Sequence, residues 1–399
     1  RMDDGVEAAG GVDHRAYRIL DRGGVEDIAA PVASVAEVRR RLAGQIDADD
    51  VGALGGEPGH GGRADTRGRA GHEHALAAKS VHASQYGPPD HRVRAGSYHP
   101  EMAPSPSLPS PHVPFTTHGH GGVRIAADRH GDPDARAVVF LHGGGQTRRS
   151  WGRAAGAVAE RGWQAVTVDL RGHGESDWAA DGDYRVASFA ADVREILEQL
   201  PPDPVLVGAS LGGLTSMLLA GELCRGIASA VVLVDIVPDM DPSGAERIHA
   251  FMADKMVDGF GSLDEVADMI AQFNPHRPRP TDLDGLRNNL RRRGGRWYWH
   301  WDPRFIDGTA AHPPLEVEDT DRLHAAVAAI LADAVPVLLV RGQVSDLVSR
   351  DRADAFLVRF PQVEFVDVEG AGHMVAGDRN DLFADAVLAF LDRHRPPGD

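Results

Sequence analysis

The chain has 399 residues, enough for one large domain or two, and its 42% apolar and 25% charged content is that of a globular protein. A formal charge of −17 with no compensating basic stripe argues against nucleic acid as a partner. No apolar run reaches the ~18 residues that a bilayer span requires, and the single cysteine, Cys224, excludes internal disulfides and a Cys-based zinc site. The start, Arg1-Met2-Asp3-Asp4, lacks the basic-then-apolar order of a secretory signal, and we expect a cytoplasmic location.

Residues 1–112 differ from the rest. All 12 Phe and all 6 Trp lie at or beyond Phe115, while the early stretch is rich in Gly, His, Arg, Asp and Ala. Without large side chains it can bury little apolar area against the entropy of ordering. We expect this extension to be largely disordered, with one helix near Ser34–Leu42 and a Pro-rich linker over 102–114. Its bias also suggests upstream sequence read from a wrong start, with a genuine disordered extension as the alternative. His118-Gly119-His120 at the linker's end reads as a solvated turn, since no third ligand is near.

From residue 113 onward, short apolar, β-branched runs alternate with helical patterns. The runs are Ala137–Leu141, Gln164–Asp169, Pro204–Gly208, Ala230–Asp235, Pro336–Val340 and Val363–Val368. Continuous runs bounded by turns mark strands buried on both faces of a mostly parallel sheet. Ser188–Leu200 carries Phe189, Val193, Ile196 and Leu197 at helical spacing. The order predicts an α/β doubly wound sheet, with core over 113–237 and 332–399. Residues 238–331 interrupt the alternation and read as an inserted helical lid, with helices near Ala245–Met256 and Ser262–Phe273. The basic run Arg291-Arg292-Arg293 reads as a solvated helix end.

Gly208-Ala209-Ser210-Leu211-Gly212 follows a buried strand and precedes a small-residue helical stretch. This is G-x-S-x-G in the strand–turn–helix setting that exposes a nucleophile, and its small neighbours are what a sharp turn requires. His142-Gly143-Gly144-Gly145 follows the first apolar run, and Gly-rich backbone there can aim N–H groups at a developing oxyanion. We expect the Gly144 and Leu211 N–H groups to form that hole, with His142 holding its loop. His373, in Gly372-His373-Met374 after the last strand, is the expected base. For the acid, Asp346 is preferred because it lies just past the Pro336–Val340 strand. Asp235, at the end of the preceding strand, is the alternative.

With these pieces, 113–395 resembles the α/β-hydrolase superfamily, in its lid-bearing group of esterases, cofactor-free haloperoxidases, lactonases and carbon–carbon bond hydrolases. The carrying motifs are His142-Gly143-Gly144, Asp169-Leu170-Arg171-Gly172-His173-Gly174-Glu175-Ser176, Gly208–Gly212 and Gly372-His373. The resemblance implies an eight-stranded sheet, a Ser210–His373–Asp triad and a structural turn over 171–176. Epoxide hydrolases and dehalogenases of this fold carry Asp where this chain has Ser210, which favours ester, lactone, thioester or carbon–carbon cleavage.

The expected activity is therefore a serine hydrolase acting on a small, apolar carbonyl substrate, carboxylesterase-like, with no cofactor and no metal. Carbon–carbon hydrolysis, a haloperoxidase or perhydrolase reaction, and a non-catalytic ligand-binding member are the alternatives. Trp297, Trp299, Trp301 and Met374 are candidate pocket residues, with the tryptophans alternatively pinning the lid to the core.

Overall fold

Strand residues that face core on both sides build the centre of the molecule. The computed structural model describes residues 112–309, 319–378 and 380–395, all within the second of two units, Gln85–Asp399. The expectations for residues 1–111 lie outside the described residues. In chain order the core elements are β1 (His112–His118), β2 (Arg124–His130), β3 (Ala137–Leu141), α1 (Gly152–Glu160), β4 (Gln164–Val168), α2 (Val186–Leu197), β5 (Val205–Ala209), α3 (Leu211–Leu218) and β6 (Ala230–Val234). An insertion follows, holding α4 (Pro242–Ala253), α5 (Leu263–Phe273), β7 (Leu290–Arg293), β8 (Arg296–Trp299) and α6 (Asp319–Ala332). The core resumes with β9 (Val337–Gly342), α7 (Arg350–Arg359), β10 (Glu364–Val368), α8 (Val375–Asp378) and α9 (Asn380–Arg393).

Eight strands form one sheet in the order β1-β2-β4-β3-β5-β6-β9-β10. β2 pairs antiparallel with β1 and β4, and every other pairing is parallel. The chain runs outward from β3 to β4 on one side and from β5 to β6 on the other, so the winding direction reverses between β3 and β5. A crevice opens at the carboxyl ends of such strands.

Period-two alternation splits the core into two layers. Val139 and Leu141 of β3 pack with Phe189 and Leu214 on one face, and Val138 and Phe140 pack with Trp151 and Phe383 on the other. The four β3 side chains have no exposed surface, which is why the strand reads as a continuous apolar run.

The insertion expected as a helical lid over 238–331 holds helices at both stretches read as helical, but not helices alone. It contains a hairpin, and Arg291-Arg292-Arg293 lies on strand β7 rather than at a helix end. Arg293 pairs with Arg296 across Gly294-Gly295, whose φ values of +57° and +82° suit a tight two-residue turn that glycine accommodates. Arg292 and Arg293 lie over the Trp297 and Tyr298 rings at 5.5 and 4.6 Å. The insertion's last helix, α6, belongs to the core layer. It packs on α3 and on the helical turn Leu219–Leu223 that continues it, so closely that a Cβ at Gly221 would come within 2.1 Å of the Ala326 carbonyl oxygen. No helix among the described residues is long and apolar enough to cross a membrane.

Phe140 lies against Trp151 at 5.4 Å between ring centres and has no exposed surface. Phe140→Ala is expected to lower unfolding free energy by about 3–5 kcal/mol in urea titration, through lost burial and a residual cavity. A loss under ~1 kcal/mol would mean that this layer repacks freely.

Candidate active site

Between β5 and α3 the backbone makes one sharp turn. Ser210 sits at its apex with φ +46° and ψ −113°, a left-handed conformation that costs a side-chain-bearing residue about 1–3 kcal/mol. The flanking glycines are obligatory by contact. A Cβ on Gly208 would lie 2.3 Å from the Gly212 carbonyl oxygen, and one on Gly212 would lie 2.2 Å from that of Leu141. The Ser210 N–H donates to the Val234 carbonyl at 3.2 Å, tying the turn to β6. Leu211 opens α3, so its N–H belongs to the first turn, where backbone donors lack intrahelical acceptors.

The loop after β3 faces Ser210. The Gly143 carbonyl accepts from Gln146 N–H at 3.1 Å and from the His142 ring at Nδ1, 2.8 Å. His142 Nε2 accepts from Leu170 N–H at 3.0 Å, so the ring's proton resides on Nδ1. A peptide plane whose carbonyl is held by two donors has its N–H fixed in the opposite direction. That N–H is Gly144's. The neighbouring Gly143 N–H is taken by Gln146 Oε1 at 3.1 Å, whereas Gly144 borders the same cavity as Ser210 and Leu211. Gly145 closes the turn with φ +73°, a position that favours glycine.

His373 Nδ1 bonds Asp235 Oδ2 at 2.8 Å, leaving Nε2 as the ring nitrogen not engaged by that carboxylate. The Asp235 carboxylate is fully buried and accepts two further bonds, from Ser345 Oγ at 2.5 Å and from Gly342 N–H at 3.0 Å. Asp235 also has positive φ, +51°, at the end of β6 next to the Ser210 turn. Gly342 admits the His373 loop, since a Cβ there would lie 2.1 Å from the Gly372 carbonyl oxygen.

Asp346, preferred from the sequence as the partner of His373, is placed elsewhere. It is partly exposed and pairs with Arg247 on α4 of the insertion. The loop after β9 does reach the carboxylate that bonds His373, but with Ser345 and the Gly342 N–H rather than with a carboxylate of its own. Because Ser345 Oγ also accepts from the Leu347 and Val348 N–H groups, the turn is wound around Ser345 and leaves Asp346 outside it. Ser345 and Gly342 carried no sequence signal of this role.

Ser210, Leu211, Gly144, His373 and Met374 line one cavity of about 600 Å³. Its walls are mainly apolar, with Ile248, Phe251 and Met252 of α4 and Phe305 prominent. Trp299 and Trp301 also line it, stacked at 4.8 Å between ring centres. Trp297 does not; it pairs with Phe260 and lies beneath Arg287 and Arg292.

A family model described as the alpha/beta hydrolase fold matches residues 136–379. Among curated proteins, the chain is 32% identical over 282 residues to esterase Rv0045c of Mycobacterium tuberculosis, covering 67% of this chain and 86% of that protein. It is 31% identical over 274 residues to the mouse sn-1-specific diacylglycerol lipase ABHD11, covering 65% of this chain and 82% of the relative. Among solved structures, an alpha/beta hydrolase from Novosphingobium aromaticivorans superposes with a TM-score of 0.60 at 25% identity. That match covers 71% of this chain and 99% of the other.

Behind the cavity, the His142 and His173 rings lie 5.2 Å apart and fully buried. Burial holds both neutral, lowering the pKa of His142 to about 4 and that of His173 to about 3. In the unfolded chain each takes up a proton near pH 6.5, so the unfolded state binds more protons below that pH and stability falls with pH. His142 alone should remove about 2 kcal/mol of unfolding free energy between pH 7 and 5. Urea unfolding at the two pH values measures this loss, and equal stability at both would contradict neutral burial of the rings.

Proposed function

The chain belongs to the α/β-hydrolase fold family, and we propose that it is a serine esterase in which Ser210, His373 and Asp235 act on an apolar ester. What carries this reading is the Asp235–His373 hydrogen bond, made by the same ring that lines one cavity with Ser210 at its strained turn.

The chemistry runs in two halves. The Ser210 hydroxyl oxygen attacks the substrate carbonyl carbon while His373 Nε2 takes the hydroxyl proton. Asp235, accepting at Nδ1, holds the ring's orientation and stabilises the imidazolium that forms. The carbonyl π pair moves onto oxygen, and the Gly144 and Leu211 N–H groups bind that oxyanion. Collapse expels the alcohol, which leaves with the proton from His373 and gives an acyl-Ser210 ester. Water, deprotonated by His373, then attacks the acyl carbon. Breaking the acyl–Oγ bond releases the acid and returns the proton to Ser210.

The substrate class follows from the walls. A cavity of about 600 Å³ lined by Phe251, Met252, Trp299, Trp301 and Phe305 rewards burial of an apolar acyl or alkyl group by ~25 cal/mol per Å². The esterase and lipase relatives are consistent with ester cleavage as the reaction. Arg247 and Asp346 take the role of an ion pair between insertion and core.

Hydrolysis of p-nitrophenyl acetate, butyrate and octanoate by the full chain tests the reading. Turnover is expected to vanish in Ser210→Ala. Asp235→Asn should lower kcat by about 10⁴-fold, because the amide no longer holds the working tautomer. Asp346→Asn should stay within about twofold, as befits a partly exposed pair. The opposite ranking of the two Asn variants would return Asp346 to the acid position.

A further inference from the structure

The oxyanion loop is held from two sides, and only one of them belongs to the sheet. On the sheet side, His142 and Gln146 fix the Gly143 carbonyl. On the other side stands His300, which follows β8 in the insertion and is 2% exposed. Its Nδ1 accepts from the Gly174 N–H at 2.7 Å, so the neutral ring carries its proton on Nε2. That Nε2–H donates to the Gly145 carbonyl at 3.3 Å. His300 thus bridges the turn after β4 and the turn that carries the Gly144 N–H.

Its own segment is clamped to the same turn region. The Asp302 N–H donates to the Gly172 carbonyl at 2.9 Å, and Asp302 Oδ2 accepts from the Tyr184 hydroxyl at 2.5 Å. Arg304 bonds both Asp302 and the Ala179 carbonyl, with Nη2 at 2.7 and 2.6 Å. The Trp301 ring borders Gly145, lying 3.3 Å from where a Cβ would stand. Burial among the His173 and His142 rings holds His300 neutral, as its acceptance from Gly174 requires.

We propose that His300 is a positioning residue for the oxyanion hole: by fixing the Gly145 carbonyl it sets the turn that presents the Gly144 N–H, and so makes catalysis conditional on the seating of the 299–306 segment. The inference rests on the esterase reading above. It assigns the insertion a part in transition-state stabilisation beyond walling the pocket. A donor displaced by about 1 Å loses much of its worth in a preorganised site, so the effect falls on kcat rather than on KM.

Three variants of the full chain separate this role from a packing role, with p-nitrophenyl butyrate as substrate. His300→Gln keeps a donor at the Nε2 position, His300→Asn keeps only an acceptor for Gly174, and His300→Phe fills the space with neither. The Asn and Phe variants are expected to lose about 10–100-fold in kcat with KM changed less than ~threefold, while Gln recovers to within ~fivefold of the parent. If Phe does not fold, the Asn–Gln contrast decides alone. Parent-like kcat in Asn, a loss confined to KM, or a Gln variant as slow as Asn would overturn the proposal. No turnover in the parent chain would instead overturn the esterase reading beneath it.

Discussion

A carboxylate removed from water is costly unless other groups replace its hydration, and Asp235 is such a carboxylate. Its replacement partners come from separate parts of the chain: the backbone N–H at the end of β9, the Ser345 hydroxyl and the His373 ring. Each bond orders the loop that supplies it. One buried charge therefore draws the carboxyl ends of β6 and β9 and the loop after β10 to one point. The sheet delivers these ends side by side, since β6 lies between β5 and β9.

The same edge carries backbone strain at two neighbouring positions, Ser210 and Asp235, both with φ near +50°. Such conformations persist only where the surroundings over-determine them. At Ser210 the means are visible: glycines at 208 and 212 let strand, helix and the Leu141 carbonyl approach to distances that any Cβ would forbid. The winding reversal between β3 and β5 opens the space that the Gly143–Gly145 loop and the Ser210 turn flank. Apolar side chains of the insertion line that space, and its His300 and Asp302 bond the turn after β4, whose Arg171 is bound by Asp192 through two bonds of 2.6 Å.

Much of this was legible in the sequence because parallel strands buried on both faces leave unbroken apolar runs. All six such runs correspond to observed strands, and the Ser210 turn was marked by glycines that contact geometry demands. The antiparallel strands β1 and β2 did not stand out from the residues themselves. β1 contains Pro114 and two histidines and is largely exposed, so it lacks the apolar run. The β7–β8 hairpin was missed although Gly294-Gly295 between two short runs is a turn signal, because three successive arginines resemble a solvated helix end. The partner of His373 was misplaced by one strand. Asp235 and Asp346 both follow strands at the same edge, and only the winding of the loop around Ser345 decides which carboxylate meets the ring. The part played by His300 depends on how the insertion seats, which no local pattern records.

Ester cleavage at this site requires Ser210 to be an activated nucleophile, and covalent labelling reads that directly. The full chain would be treated with a fluorophosphonate and the modified residue mapped by peptide mass spectrometry. One adduct is expected, on Ser210, formed much more slowly once Asp235 is replaced by Asn. An adduct on another serine, or none on the folded protein, would contradict it.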